Sequence, residues 1–286
     1  MVGRMIKHFL SGAARRLGLA MMKCMPFAWR ASVLEDLDNE MITETPVPSG
    51  TIRFYARSPL LLARAKNLMS KEEDTIQWID DFENRVIFWD IGANVGVYTF
   101  YAAVRKGATV LAFEPSAANF YVLSRNIELN NLSGRVTAYC LAFSGQTELG
   151  VLNLATPELG GALSQFGRVS EASRYATDDD STLQGALGFT IDEFVARFRP
   201  PIPTYIKLDV DGLELPILAG AKEILCNPRL RSLMVELTVM RKSERDEAIE
   251  LLKSAGLHLV SQGREQGAGI EHGANHLFKR HPANNE

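Results

Sequence analysis

From residue 86 onward the chain alternates short, uninterrupted apolar runs with amphipathic stretches, and this alternation restricts the fold more than any other feature. The runs at 86–89, 109–113, 136–143, 205–208 and 232–237 read as strands. The stretches at 95–105, 116–130, 191–198, 213–225 and 244–255 read as the helices between them. A strand that is apolar along its whole length is buried on both faces. A parallel sheet covered by helices provides that; a half-solvated antiparallel sheet does not. Two more strands, 257–261 and 276–279, follow one another without a helix and suggest an antiparallel edge. The expected fold is doubly wound α/β with a mostly parallel, seven-stranded sheet.

Two regions stand outside the alternation. Residues 1–77 read as an N-terminal helical extension to a main domain at 78–286. Within it, Pro46, Pro48, Gly50 and Pro59 surround the run Ile52, Phe54, Tyr55, which predicts a turn with a short strand or hairpin. A helical stretch from 60 to 83 follows. Residues 145–190 hold Gly160, Gly161, Gly167, Asp178, Asp179, Asp180, Gly185 and Gly188. A structureless loop of this length in a compact domain is either a lid or a surface excursion. Its place between the third and fourth strands predicts a lid over the acceptor side of the cleft, with Gly160, Gly161 and Gly167 as mobile points.

Charge is distributed unevenly. The formal charge of -3 combines a head of +6 in residues 1–30, which contain no acid, with a body of -9. Such a body is a poor non-specific partner for nucleic acid. At helical spacing Val2, Met5, Ile6, Phe9, Leu10, Ala13 and Leu17 share one face, opposite Arg4, Lys7, His8 and Arg15. Residues 1–25 therefore suit an anionic membrane surface, or packing on the domain itself or a partner subunit. No apolar run is long enough to span a bilayer. Cys24, Cys140 and Cys226 show neither pairing nor zinc spacing, as expected of a cytoplasmic protein, with Cys140 a small core residue.

The informative segment is Phe88-Trp89-Asp90-Ile91-Gly92-Ala93-Asn94-Val95-Gly96, where the first strand of the sheet turns into its helix. Doubly wound sheets bind ligands at the carboxyl ends of their strands. Gly92 and Gly96 permit a sharp turn and close backbone approach. Glu114 ends the next strand, where an acid can grip two ribose hydroxyls. A nicotinamide cofactor would set its pyrophosphate on G-x-G-x-x-G. That spacing is missing, and Asp90 lies where the phosphates would sit. S-adenosylmethionine carries an ammonium and a sulfonium and no phosphate, so acids beside the loop attract it. The residues favour a class I methyltransferase over a nicotinamide-dependent oxidoreductase or a non-catalytic binding protein recruited to membranes.

In these motifs the sequence resembles the FkbM family of S-adenosylmethionine-dependent methyltransferases. The resemblance continues through Leu141-Ala142-Phe143-Ser144-Gly145, Thr190-Ile191-Asp192 and Ile206-Lys207-Leu208-Asp209-Val210-Asp211-Gly212-Leu213-Glu214. It spans residues 78–280 and leaves 1–77 outside. It implies a Rossmann-like fold and O-methylation of a hydroxyl on a sugar, a glycan or glycolipid precursor, or a related metabolite. It also implies that Asp90, Gly92, Ala93, Asn94 and Gly96 surround the methionine portion of the cofactor. By the same comparison Glu114 binds the ribose, Pro115 opens the next helix, and Ala142 and Phe143 flank the adenine.

An alcohol is a poor nucleophile and gains from a base or a metal near its proton. Asp209, Asp211 and Glu214 follow the fourth strand and face the cofactor crevice, while Lys207 lies in the strand. Asp209 is the candidate base, and Asp211 and Glu214 are acceptor or supporting groups. One of these acids instead caps the helix starting near Leu213 in the alternative reading. A divalent ion held by Asp209, Asp211 and Glu236 is a further alternative. His272 and His276 are candidates for lining the acceptor site, or plain surface residues.

Overall fold

Strands whose side chains alternate between two covered faces place half of them in each of two cores, and the chain follows that rule. The computed structural model describes residues 16–156, 158–162, 164–168, 182–238, 242–263 and 273–281. The chain divides into two units, Met1–Ile42 and Thr43–Glu286. In the first, α1 (residues 16–24) and α2 (Phe27–Glu40) are helical and contain no buried residue. Of the apolar face expected for residues 1–25, only Leu17 falls within the described residues.

From Thr43 the second unit holds the rest of a hairpin, β1 (Ile42–Val47) and β2 (Gly50–Tyr55), followed by α3 (Pro59–Lys66) and α4 (Glu73–Asp80). Then come β3 (Ile87–Ile91), α5 (Val97–Lys106), β4 (Thr109–Phe113), α6 (Ala117–Leu129) and β5 (Val136–Tyr139). A detour follows through β6 (Ala142–Phe143), β7 (Glu148–Leu154), β8 (Gln165–Arg168) and β9 (Thr182–Phe189). The chain returns through α7 (Ile191–Phe198), β10 (Tyr205–Leu208), α8 (Glu214–Ala219), α9 (Lys222–Cys226) and β11 (Ser232–Thr238). It closes with α10 (Lys242–Ser254), β12 (Leu257–Gln262) and β13 (Gly273–Arg280).

The main sheet has seven strands in the order β12-β13-β11-β10-β3-β4-β5. Strands β11, β10, β3, β4 and β5 pair in parallel. Phe88, Val110, Ala112, Tyr205 and Met234 face one core, with Phe54, Trp78 and Phe100. Trp89, Leu111, Phe113, Ile206, Leu233 and Val235 face the other, with Phe143, Phe194 and Phe278. Both faces are thus covered, the condition that makes these strands read as unbroken apolar runs. The chain reverses its winding between β3 and β10, which are neighbours in the centre of the sheet, so a crevice opens at their carboxyl ends.

Several boundaries differ from the expected ones, each for a physical reason. The compact unit starts at Thr43 rather than 78, because Ile52, Phe54, Leu68, Ile76 and Trp78 complete the first core. The 60–83 stretch is two helices separated by a turn at 67–70. The apolar run 136–143 divides at Cys140 and Leu141: β5 stays in the main sheet while Ala142 and Phe143 pair with Gly188 and Phe189 of β9. Apolarity cannot distinguish a strand that continues from one that changes sheets. Cys140 is exposed at this junction and is not a core residue. The last two strands form the expected antiparallel edge, with β13 inserted between β11 and the outermost strand β12.

The glycine-rich segment is not structureless. Strands β6, β9, β7 and β8 form a second sheet in that order, while residues 169–181, with the three aspartates, lie outside the described residues. Its glycines make room for an aromatic ring. A Cβ at Gly150 or Gly188 would come within 2.5 or 2.6 Å of Phe166.

The 213–225 helix breaks at Gly220, and Asp192 caps the second piece by accepting hydrogen bonds from the backbone N–H groups of Glu223 (2.9 Å) and Ile224 (3.2 Å). Thr190 caps α7 in the same way through Glu193 (3.2 Å). Two of the three residues in the Thr190-Ile191-Asp192 motif are therefore helix caps. Replacing Asp192 with alanine is expected to cost about 1–2 kcal/mol in urea unfolding and to leave ligand affinity unchanged.

Candidate active site

The loop after β3 is shaped by what its backbone must avoid. Gly92 has φ +83°, and a Cβ there would lie 1.8 Å from the carbonyl oxygen of Asp209. Its N–H and that of Ala93 donate to the Phe113 carbonyl (2.9 and 3.0 Å), which ties the loop to the end of β4. Gly96 has φ +87° and begins α5 against Phe100 and Leu123. It acts as a turn residue and lines neither of the two cavities described next.

The first cavity contains Gly92, Asn94, Glu114, Pro115, Ala142 and Phe143, so most of the residues assigned to a cofactor from the sequence meet there. Glu114 is buried and accepts hydrogen bonds from the backbone N–H groups of Asn94 and Ser116, both at 2.8 Å. Burial raises its pKa to about 7 against the opposing pull of those donors. Asn94 gives its side-chain N–H to the Gly161 carbonyl (2.7 Å), while its Oδ1 is buried without a partner among the described residues. A buried acceptor of this kind is costly unless a ligand donor meets it.

The second cavity lies across the same loop and is lined by Asp90, Ala93, Tyr98, Lys207, Asp209 and Glu72, among others. Lys207 stands opposite Asp90 in the β10–β3 register and is 2% exposed. Its Nζ lies 2.5 Å from Asp209, 3.7 Å from Glu72 and 5.1 Å from the Tyr98 ring centre. Burial favours a neutral amine, but the carboxylates of Asp209, Glu72 and Asp90 outweigh it and keep Lys207 protonated. Burial likewise disfavours an ionised Asp209, yet Lys207 and a hydrogen bond from Glu236 hold it below the ordinary carboxylate range. The negative charge of Asp209, together with burial, lifts Glu236 to about 9, so at neutral pH the pair shares one proton, held by Glu236. Burial also raises Asp90 to about 6, opposed by Lys207 and by the Thr99 hydroxyl at 2.5 Å.

The remaining candidates fall differently. Asp211 has φ +58° and lines the first cavity with Asp209. Glu214 lines neither cavity. It accepts from the N–H groups of Gly212 (3.0 Å) and Val210 (3.3 Å), which precede the helix, so it staples the loop before the helix and does not cap it. Oxygens of Asp209, Asp211 and Glu236 come within 4.8 Å of one another. A divalent ion there would release the Glu236 proton and compete with the Lys207 ammonium for Asp209. His276 is buried in β13 against the Ala274 carbonyl (2.8 Å) and lines neither cavity, while His272 lies outside the described residues.

Sequence reasoning missed Glu72, Tyr98, Arg64 and Asn119. Glu72 sits in the charge run Lys71-Glu72-Glu73-Asp74, which reads as a solvated helix start. Lys207 carried a usable signal, because a lysine inside a fully buried strand demands counter-charges. Arg64 Nε donates to the Gly160 carbonyl (2.6 Å), and Asn119 binds both Gly160 N (2.8 Å) and Gly161 O (3.0 Å). Gly160 and Gly161 are therefore pinned and Gly167 is paired within β8, so none of the three is the expected mobile point. The described part of the segment walls the first cavity through Gly161 and Phe166 rather than the acceptor side alone.

A parallel sheet reversed between β3 and β10, with a glycine turn and a buried acid at the ends of adjacent strands, defines the Rossmann-like fold of the class I methyltransferases. The family model for the methyltransferase FkbM domain matches residues 90–259, more than half of the chain, and the protein belongs to that family of methyltransferases. Curated relatives include the hexuronic acid methyltransferase AglP of Haloferax volcanii, 23% identical over 69% of this chain and 74% of its own length. Another is the 31-O-demethyl-FK506 methyltransferase FkbM of Streptomyces tacrolimicus, 25% identical over 65% of this chain and 77% of its own. Among solved structures, the METTL16 methyltransferase domain has a TM-score of 0.47 at 14% identity, covering 90% of this chain and 93% of that one.

Replacing Lys207 with methionine removes the buried cation between Glu72 and Asp209, leaving Glu72 only the exposed Lys71, and is expected to cost about 3 kcal/mol of stability near neutral pH. In the wild type, depressed carboxyls contribute stability that is lost only as pH falls below the ordinary carboxylate range. In the variant the same carboxyls are raised, so the deficit shrinks as pH falls toward acid. Urea unfolding at acidic and neutral pH reads this reversal.

Proposed function

We propose that the protein uses S-adenosylmethionine to methylate a hydroxyl of a sugar, a glycan or glycolipid precursor, or a related hydroxylated metabolite. The observation that carries this reading is the buried Glu114 carboxylate beside the unpartnered Asn94 Oδ1, at the edge of an apolar cavity. Glu114 is suited to accept hydrogen bonds from two ribose hydroxyls, and Phe143, Ala142 and Pro115 offer apolar surface for an adenine. Asp90, Asp209 and Asp211 surround the Gly92 turn with negative charge. That field favours a cation-bearing ligand and opposes a pyrophosphate. The bound cofactor would supply an electrophilic methyl carbon on a cationic sulfur.

The chain's own task is then to position an acceptor hydroxyl and receive its proton. Asp209, a quarter exposed at the second cavity, is ionised and accessible for that purpose. Lys207 makes it a weak base. A hydroxyl proton becomes strongly acidic only as the new oxygen–carbon bond forms, so a weak base already in contact suffices. Glu236 supports Asp209 as a proton donor to it, which fixes the carboxylate's orientation. Two of the relatives, one a hexuronic acid methyltransferase and one named for a demethylated oxygen, support a hydroxylated acceptor.

Calorimetric titration is expected to show binding of S-adenosylmethionine and none of NAD; no heat with S-adenosylmethionine would overturn the reading. Affinity for the cofactor should fall as pH drops below about 7, by up to ~10-fold per pH unit, because ribose hydroxyls donate to an ionised Glu114. Glu114→Gln should weaken binding and flatten that dependence. Asp209→Asn should slow transfer by about 10²-fold, well beyond any loss of cofactor affinity, measured with labelled cofactor on a panel of sugars and lipid-linked glycans. Undiminished turnover would remove Asp209 from the reaction.

A further inference from the structure

The second cavity is lined by charges of both signs. Asp90, Asp209 and Glu72 supply the acids, and the buried Lys207 is the cation they already hold. Arg64, Asn67 and Lys71 line the same cavity from α3 and the turn after it, and the function proposed above gives them no task. Lys71 lies 3.5 Å from Glu72 and is exposed. Arg64 is partly buried, and its Nε donates to the Gly160 carbonyl (2.6 Å). Its terminal nitrogens make no hydrogen bond or ion pair with any described residue. Arg64 also precedes residues 90–259, so the matched family pattern does not include it.

Burial disfavours the charged guanidinium, while Asp209, Asp211 and Glu114 attract it through space without pairing with it. A partly desolvated guanidinium whose outer donors are open is a receptor for an oxyanion. Its planar fork fits a carboxylate with two parallel hydrogen bonds. A phosphate dianion would set a second negative charge near Asp90 and Asp209, whose buried cation, Lys207, is already taken. A carboxylate adds a single charge, and an amino group carried beside it would be drawn to Asp90 or Asp209.

We infer that Arg64, supported by Lys71, is a carboxylate subsite of the second cavity. The inference rests on the methyltransferase reading, because two reactants of that reaction can bring the carboxylate. One is the amino-acid end of S-adenosylmethionine, passing the Gly92 turn from a nucleoside held in the first cavity. The other is a uronic sugar acceptor. In either case Arg64 discriminates against the counterpart that lacks the acid group. Its bond to Gly160 holds the fork in place and ties the subsite to the Gly160–Gly161 turn, which walls the first cavity through Gly161.

S-adenosylmethionine and its decarboxylated form differ by one acid group, so calorimetric titration of the full chain with each isolates that group. If the cofactor brings the carboxylate, the wild type should bind S-adenosylmethionine about 10–100-fold more tightly than the decarboxylated form. Arg64→Gln should then bring the two within about twofold by weakening S-adenosylmethionine alone. Lys71→Gln changes an exposed residue and leaves the Gly160 contact in place, so it gives the same comparison even where Arg64→Gln does not fold. It should narrow the ratio by about threefold. If the acceptor brings the carboxylate, the cofactor ratio should not move in either variant. The wild type should instead favour glucuronate over glucose in kcat/KM by about tenfold or more, and the variants should lose that preference. An Arg64 that serves only to hold Gly160 would weaken both cofactor forms alike and leave the sugar preference intact. That result, with neither preference depending on Arg64 or Lys71, would overturn the inference. The methyltransferase reading fails separately, and only if the wild type binds neither cofactor form.

Discussion

A protonated lysine buried in the centre of a parallel sheet sets the terms for everything around it. Lys207 is 2% exposed, and a cation so placed is tolerated only where anions surround it. Glu72 comes from the turn before α4, Asp90 from β3 and Asp209 from the end of β10, so three separate segments converge on one ammonium. The same contact keeps Asp209 ionised. Asp209 in turn forces the proton onto Glu236 of β11. A requirement of folding, charge balance in the interior, thereby fixes the protonation of Asp209 at the second cavity and of Glu236 beside it.

The Gly92 turn divides that charged cavity from the largely apolar one beside it. Its left-handed conformation lets the backbone pass against the Asp209 carbonyl, and the two cavities meet across it. Asn94 joins the parts: its backbone N–H donates to Glu114 and its side chain holds the Gly161 carbonyl. Arg64 and Asn119 hold the same turn of the second sheet from the other side. The glycine-rich segment is therefore built into the cavity wall.

Much of this was legible in the amino-acid order. Unbroken apolar runs predicted the parallel sheet because both of its faces are covered, and the spacing from Gly92 to Glu114 brought their positions together because adjacent parallel strands end at one level. Asp90, Gly92, Asn94, Glu114, Ala142, Phe143, Asp209 and Asp211 all line one cavity or the other. What could not be read depended on tertiary contacts. Glu72 looks like any helix-start acid until Lys207 is placed beside it. Gly160 and Gly161 read as mobile points because the side chains that hold them, Arg64 and Asn119, are distant in sequence. Glu214 read as an acceptor group because its two backbone donors come from a turn that local pattern does not specify.

The most direct test of this account is a carbon NMR titration of the carboxyl groups of Asp209 and Glu236 in the intact protein. The charge balance around Lys207 predicts that Asp209 keeps the chemical shift of a carboxylate from about pH 5 to about pH 8, while Glu236 titrates near 9. Protonation of Asp209 within that range, or titration of Glu236 near its ordinary value of 4.5, would contradict it.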